Sequence, residues 1–308
     1  MGIKVVITGA SGLVGRNIVE VLSGSSEYDM VAAGFSKEKL ENMFGSIKNV
    51  ECISNSELLS DGFDAAGTDY VIHCAFTRKN DPAEITAAVD LTSGVYKKFV
   101  NGKTRGVIGI STRSVYKEPD EGELNTEESP ICPNGLIGTA KYACELMLSN
   151  MCALAGQNFT ILRLGSVNEL KTTDTMVRPM NVFVDCMLEG KPIHIVGGSQ
   201  VMSYIAPQDI ASAVLSLLKL SPEKWADVYN VGTGWICTDT LLNIARRVRD
   251  IGAQKFGVKP VEIEIEERQI NQRSGQDITR LSNATGWTPK WTLDTMICDL
   301  YSMKTSGR

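Results

Sequence analysis

The chain has 308 residues, 43% of them hydrophobic and 22% charged. That is long enough to bury a large core and too apolar for a disordered or low-complexity chain. Lys and Arg number 31 against 36 Asp and Glu, a net charge of −5, which argues against nucleic acid as the main partner because phosphate binding wants a concentrated positive field. The eight cysteines are scattered without a C-x-x-C pair, so no disulfide framework is expected and a reducing, cytoplasmic setting is favoured.

In chain order, Ile3–Thr8 (IKVVIT) reads as a buried strand that begins with no signal-peptide apolar region before it. The chain starts Met-Gly, but Val6 stands where N-myristoylation needs Ser or Thr. A glycine loop opens a helix from about Gly12 to Ser23, followed by a strand at Met30–Phe35 and a helix at Lys37–Phe44. Strands at Tyr70–Ala75, Gly106–Ser111 and Phe159–Leu164 alternate with helices at Pro82–Val100 and about Gly138–Ala155. Such near-continuous apolar strands between amphipathic helices predict a parallel sheet covered on both faces.

After Val167 the regularity changes. Asn168–Arg178 is polar and irregular, Pro179–Glu189 helical, and KPIHIVGGSQ follows; Pro207–Leu220 reads as helix and Val228–Val231 as strand. The tail from about Val261 to Arg308 mixes a short strand, polar loops and a last helix. No apolar run approaches the roughly 18 residues that a membrane span requires.

The densest signal is Thr8-Gly9-Ala10-Ser11-Gly12-Leu13-Val14-Gly15, three glycines at spacings of three between a strand and a helix. The first permits a tight turn, the second lets backbone N–H groups approach a pyrophosphate, and the third lets helix and strand pack closely. A dinucleotide is therefore expected on Gly9, Ser11, Gly12, Leu13, Val14 and Gly15. The second strand ends Gly34-Phe35-Ser36-Lys37, with no acid before Glu38 to take a ribose 2′-hydroxyl. Ser36 and Lys37 would instead hold a 2′-phosphate, which points to NADP; NAD is the alternative if Lys37 merely starts the next helix. Cys74, Ala75, Phe76 and Val167, at later strand ends, are expected to line the same cofactor cleft. The fold class that follows is α/β, a Rossmann-type doubly wound parallel sheet with a smaller C-terminal substrate lobe. The dinucleotide-binding domain is placed at 1–167, rejoined by about 205–230, and the substrate lobe at 168–204 and 231–308.

Further segments share an order with a known family. Ile110-Ser111-Thr112-Arg113-Ser114-Val115-Tyr116 matches a strand end that usually closes V-Y-G, and Leu162-Arg163-Leu164-Gly165-Ser166-Val167 an R-P-x-N-V strand. Ser203–Ala211 is like R-D-F-I-H-V-x-D-hydrophobic-A, Tyr229-Asn230-Val231-Gly232 like Y-N-V-G, and Asp277 with Gly286-Trp287-Thr288-Pro289 like the D…L-G-W-x-P tail. Over almost its whole length the chain resembles the extended short-chain dehydrogenase/reductases, and more narrowly the NAD-dependent epimerase/dehydratase group acting on nucleotide sugars.

The resemblance implies a Tyr and a Lys four residues apart on one helix. About 400° of rotation puts the two on one face. The Lys favours phenolate and binds the nicotinamide ribose, while the Tyr exchanges a proton with substrate, helped by a hydroxyl at the V-Y-G strand end. That hydroxyl is Thr112, and the Lys is Lys141. The tyrosine position, however, holds Ile137, and none of the eight tyrosines is followed four residues later by Lys. Tyr142 lies about 140° around the helix from position 137. Tyr116 is the nearest phenol by motif logic, and otherwise structural.

By the same resemblance Thr77, Thr112, Arg178, Tyr204 and Arg273 are substrate-side candidates, the two arginines for a diphosphate. His73 and His194 have no second ligand at useful spacing, so no metal site is expected. A homodimer face on Ala143, Leu146, Met147 and Met151 fits the family, and core packing explains those residues equally. Two functions stay open: an NAD(P)-binding epimerase/dehydratase-like oxidoreductase with a non-standard proton relay, acting on a small sugar or nucleotide-sugar substrate, or a catalytically silent NAD(P)-binding regulatory or sensor protein.

Overall fold

A computed structural model of the chain describes residues 2–168 and 178–306. In chain order it begins β1 (Ile3–Thr8), α1 (Leu13–Ser23), β2 (Tyr28–Gly34), α2 (Lys37–Phe44), β3 (Val50–Ser54), α3 (Asn55–Leu59), β4 (Tyr70–His73) and α4 (Pro82–Phe99). It continues with β5 (Gly106–Thr112), α5 (Gly135–Ala155), β6 (Phe159–Leu164), β7 (Ser166–Val167), α6 (Pro179–Glu189), β8 (Ile193–Val196), β9 (Val201–Ile205) and α7 (Pro207–Leu218). The last elements are β10 (Val228–Val231), β11 (Thr238–Thr240), α8 (Leu241–Phe256), β12 (Ile263–Glu266), α9 (Thr279–Thr285) and α10 (Leu293–Ser306).

Seven of these strands form a parallel sheet in the order β3-β2-β1-β4-β5-β6-β10. The order reverses at β1 and β4, which makes their carboxyl ends the switch point where an open α/β sheet leaves a crevice. Period-two alternation supplies both faces. Val6, Val31, Val71 and Val107 pack with Tyr96, Phe99 and Leu148 of α4 and α5. Val5, Ile7, Met30 and Ile72 pack with Ile18, Leu22, Val214 and Leu217 of α1 and α7.

The C-terminal region has its own apolar cluster, in which Met180, Phe183 and Val184 of α6 meet Ile244 and Val248 of α8 and Ile297 and Leu300 of α10. Small sheets flank it, β9 between β7 and β11, and β8 beside β12. Asp209 on α7 binds the two parts together, accepting from the backbone N–H of Lys290 (2.9 Å) and Trp291 (3.1 Å). Leu281 and Trp287, placed by sequence in the C-terminal lobe, pack instead with the core of the main sheet, where the Trp287 indole N–H donates to Ser212 Oγ at 2.8 Å.

Besides the short β7, β9, β11 and α9, the structure adds three elements not among those expected. β3 and α3 are only five residues each, and α3 is fixed by a capping box between Ser54 and Glu57. The third, α8, buries Leu241, Ile244, Ala245, Val248 and Ile251. All eight cysteines are free thiols, and no helix of the described residues is long and apolar enough to cross a membrane.

Candidate cofactor and substrate cleft

Gly9 and Gly15 are fixed by backbone crowding, from the segment after β4 and from the loop itself. Gly9 has φ +64°, and a Cβ there would stand 2.7 Å from the backbone N and Cα of Ala75. A Cβ on Gly15 would lie 2.4 Å from the Gly9 carbonyl oxygen. Gly12 caps α1 without any side-chain hydrogen bond, so the first-turn N–H groups at Leu13, Val14 and Gly15 keep their positive end of the helix dipole open toward the crevice. Ser11 stands half-buried at the tip of this loop.

A chain of hydrogen bonds fixes the loop against the neighbouring strand. Thr92 Oγ1 donates to Ala88 O (2.7 Å) and therefore accepts from His73 Nε2 (2.9 Å). That leaves His73 Nδ1 as acceptor for the Thr8 hydroxyl (2.8 Å), which in turn accepts from Ala75 N–H (3.3 Å). One protonation state satisfies every member, a neutral imidazole, and burial drives the His73 pKa down to about 3. His73 is thus a latch between the ends of β1 and β4, and among the described residues no His, Cys, Asp and Glu cluster could hold a metal.

From the loop a cleft of about 220 Å³ runs over the strand ends. Gly9, Gly12, Leu13, Val14, Gly15, Cys74, Phe76, Thr77, Lys141, Val167 and Arg178 line it, so these candidates converge. Ile137 and Lys141 both face it, which places position 137 on the wall where the helical argument put it. Lys141 is 9% exposed; its ammonium donates to Ile110 O at 2.7 Å and sits 4.1 Å from the Phe76 ring centroid. Burial lowers its pKa to about 8, whereas the same burial pushes the Cys74 thiol up to about 12.

Residues 5–232 match the model of the NAD dependent epimerase/dehydratase family. The chain belongs to that family. Among solved structures it is similar to UDP-glucuronic acid 4-epimerase from Bacillus cereus in complex with UDP-glucuronic acid and NAD, at 19% identity over 99% of this chain and 100% of that one, TM-score 0.81. It is also similar to UDP-glucose 4-epimerase from Thermotoga maritima with UDP-glucose (21% identity, 99% and 100% covered, TM-score 0.79). A third is dTDP-glucose 4,6-dehydratase from Bacillus anthracis in complex with NAD (18%, 99% and 97%, TM-score 0.78). No curated protein sequence matches the chain.

In this epimerase/dehydratase family member several expected side chains lie elsewhere. Tyr116 is not a proton donor to the cleft: it is 3% exposed, its hydroxyl donates to Asn230 Oδ1 at 2.8 Å, and burial raises its pKa to about 12. Arg273 pairs with Glu121 at 3.0 Å and does not line the cleft. Tyr204 is 1% exposed within the C-terminal apolar cluster and is not among the lining residues. Thr112 caps the turn after β5, accepting from Ser114 N–H at 3.2 Å, and is not among the residues that line the cleft. Ala75 meets the loop through its backbone rather than the cleft.

At the outer end Ser36 caps α2 by accepting from Lys39 N–H, and Lys37 pairs with Glu57 at 3.2 Å. Neither is therefore free of a partner. Sequence reasoning missed Phe35, which stands 95% exposed at the end of β2, and Arg78, Ile110 and Ser111, which line the cleft. The exposed phenyl carried a signal: an aromatic residue closing a buried strand, next to the glycine loop in space by the pairing of β1 with β2.

Proposed function

We propose that this protein binds a nicotinamide dinucleotide along the glycine loop and acts as an epimerase/dehydratase-like oxidoreductase on a sugar or nucleotide-sugar substrate, with a proton relay that uses no tyrosine at position 137. The observation that carries this reading is the uncapped start of α1, continuous with a cleft that ends at Lys141. The site fits such a coenzyme: Gly12 brings no side chain to the start of α1, and Gly9, Ser11, Gly12, Leu13, Val14 and Gly15 would hold its diphosphate. Phe35 offers a flat face for the adenine. When bound, the coenzyme supplies the hydride chemistry. Lys141, with ammonium protons left beyond its bond to Ile110, would hold the nicotinamide ribose. It is also the lining group whose pKa lies nearest neutrality, which suits it to proton exchange in place of a phenol. Thr112 serves substrate by exchanging its cap on Ser114 for a substrate hydroxyl, and Thr77 and Arg178 lie on the same side.

NADP is the preferred coenzyme in this reading, because β2 ends without a carboxylate; the Lys37–Glu57 pair and the NAD in the neighbouring structures support NAD instead. The nucleotide-sugar substrate rests on the neighbours with UDP-glucuronic acid and UDP-glucose. A homodimer through α5 is consistent with Leu146, which is exposed, whereas Met147 and Met151 pack inward. The second reading, a silent sensor, is favoured by the apolar wall of Ile137, Ile110 and Phe76 facing Lys141. Calorimetric titration with NADPH and NADH, followed by chromatography of nucleotide sugars incubated with the coenzyme-loaded protein, tests both. Binding with conversion of the sugar supports the enzyme, binding without conversion or net coenzyme redox change the sensor, and heat from neither coenzyme overturns both.

A further inference from the structure

Two arginines near the carboxyl ends of β5 and β6, Arg163 buried and Arg113 half-buried, have opposite surroundings. Arg163 is paired in full: its guanidinium donates to both carboxylate oxygens of the buried Glu145, at 2.7 to 3.2 Å, and covers the Tyr116 ring. Arg113, the first residue after β5, has no carboxylate within 4.0 Å among the described residues. Among the described residues its guanidinium makes one hydrogen bond, from Nε to Ser166 Oγ at 3.1 Å. Burial is the main cause that pulls its pKa below the ordinary value, and Arg178 adds to this by repulsion, against a rise from the exposed Glu118. Arg113 is half-buried, and a cation partly withdrawn from water without a counter-ion keeps N–H donors for a ligand.

The surroundings point to what that ligand is. Tyr204 is 1% exposed and its hydroxyl has no hydrogen-bond partner, yet it lies within the fields of both Arg113 and Arg178. Arg178 lines the main cleft and Arg113 a recess of about 50 Å³. The turn that carries Arg113 abuts α5 next to position 137, since a Cβ on Gly138 would stand 2.6 Å from Ser114 O. Arg113 Nε reaches Ser166, whose partner across β7 and β9 is Tyr204, so Arg113 and Tyr204 stand behind the wall of the cleft that Arg178 and Ile137 line. Arg178 keeps an interaction of its own within the chain, and its part here is to add positive field.

We propose that Arg113, with Arg178 and the Tyr204 hydroxyl, binds an oxyanion of the substrate, a carboxylate on the sugar or a phosphate of its nucleotide, beside position 137. A guanidinium presents paired N–H donors that match either oxyanion, and the phenol supplies a further donor. The identity of the molecule carrying the oxyanion rests on the nucleotide-sugar reading above; the Arg113 site does not.

The test is calorimetric titration of the coenzyme-loaded protein with UDP, UDP-glucose and UDP-glucuronic acid, for wild type, Arg113→Met and Tyr204→Phe. Arg113→Met is expected to weaken binding by about tenfold or more, with a smaller loss in Tyr204→Phe. A loss confined to UDP-glucuronic acid assigns the sugar carboxylate, and an equal loss for all three assigns the diphosphate. Because the substitution removes an uncompensated charge, Arg113→Met is also expected to raise the melting temperature of the ligand-free protein. If none of the three ligands binds wild type, the nucleotide-sugar reading falls alone. Inorganic phosphate then decides the site: a thermal shift by phosphate that Arg113→Met abolishes upholds it. Unchanged affinities, or a phosphate response indifferent to Arg113, overturn the proposal.

Discussion

The two ends of the cleft are built from different material. At the glycine loop the chemistry belongs to backbone N–H groups, and the side chains there matter by their absence. At α5 it belongs to side chains on a helix face, where Ile137 and Lys141 look into the same space. The first end is tied to the fold: a side chain at Gly15 would collide with the Gly9 carbonyl, so the binding feature and the packing requirement coincide. The second is not. Position 137 lines the cleft on α5 and lies outside the sheet, so its side chain and the glycine loop are set by different constraints. Binding and turnover can thus part company within one fold.

The sharpest way to probe this division is to restore the phenol. A positioned general acid or base is worth about 10²–10⁴ in rate, roughly 3–5 kcal/mol. Ile137→Tyr is therefore expected to raise nucleotide-sugar-dependent hydride turnover by at least about 10²-fold while leaving coenzyme affinity unchanged. Fast wild-type turnover that survives Lys141→Met and Thr112→Val would show that another group carries the proton. At the other end, Gly15→Val is expected to destabilise the protein by about 3 kcal/mol in urea unfolding, through a backbone collision that cannot relax cheaply, and to abolish coenzyme binding. A stable variant that still bound NADPH would break the link between packing and binding.

The His73 latch between β1 and β4 has a pH signature. Unfolded, His73 takes up a proton near its ordinary 6.5, but folded it resists until about 3. The unfolded state then binds more protons throughout that window, so stability falls as the pH drops below 6.5. Between pH 7 and pH 5 the loss is about 2 kcal/mol, read as the difference in urea midpoints between wild type and His73→Gln, whose curve should be flatter. Parallel curves would mean that the buried chain of hydroxyls accommodates the charge.

How far the sequence reaches follows the same division. Strands such as Phe159–Leu164, and the helix at Pro179–Glu189, were legible because burial on a regular lattice leaves a period in the residues. The facing of Ile137 and Lys141 was legible because helix geometry is local. The fate of Tyr116 was not, because the Asn230 that takes its hydroxyl lies 114 residues away. Nor does any local feature tell Arg113 from Arg163: both follow or end strands, and only the tertiary placement of Glu145 pairs one and leaves the other. Residues 169–177 of the polar, irregular stretch lie outside the described residues.

The smallest effect concerns the outer end, where coenzyme choice depends on an exposed pair. Lys37 and Glu57 meet at 3.2 Å in solvent, and an exposed ion pair is weak enough to be exchanged for a stronger partner. A ribose 2′-phosphate is such a partner, since it brings more charge and more acceptors than a carboxylate. If Lys37 makes that exchange, Lys37→Ala lowers NADPH affinity by about tenfold and leaves NADH unchanged, with the difference shrinking at high salt. Glu57→Gln can still cap α3 through its amide oxygen, yet it releases the lysine, so NADPH should bind more tightly in that variant. A ratio of NADPH to NADH affinity that stays constant in both variants would place Lys37 with α2 alone, and the cradle would then be an NAD site whose selectivity lies in the end of β2.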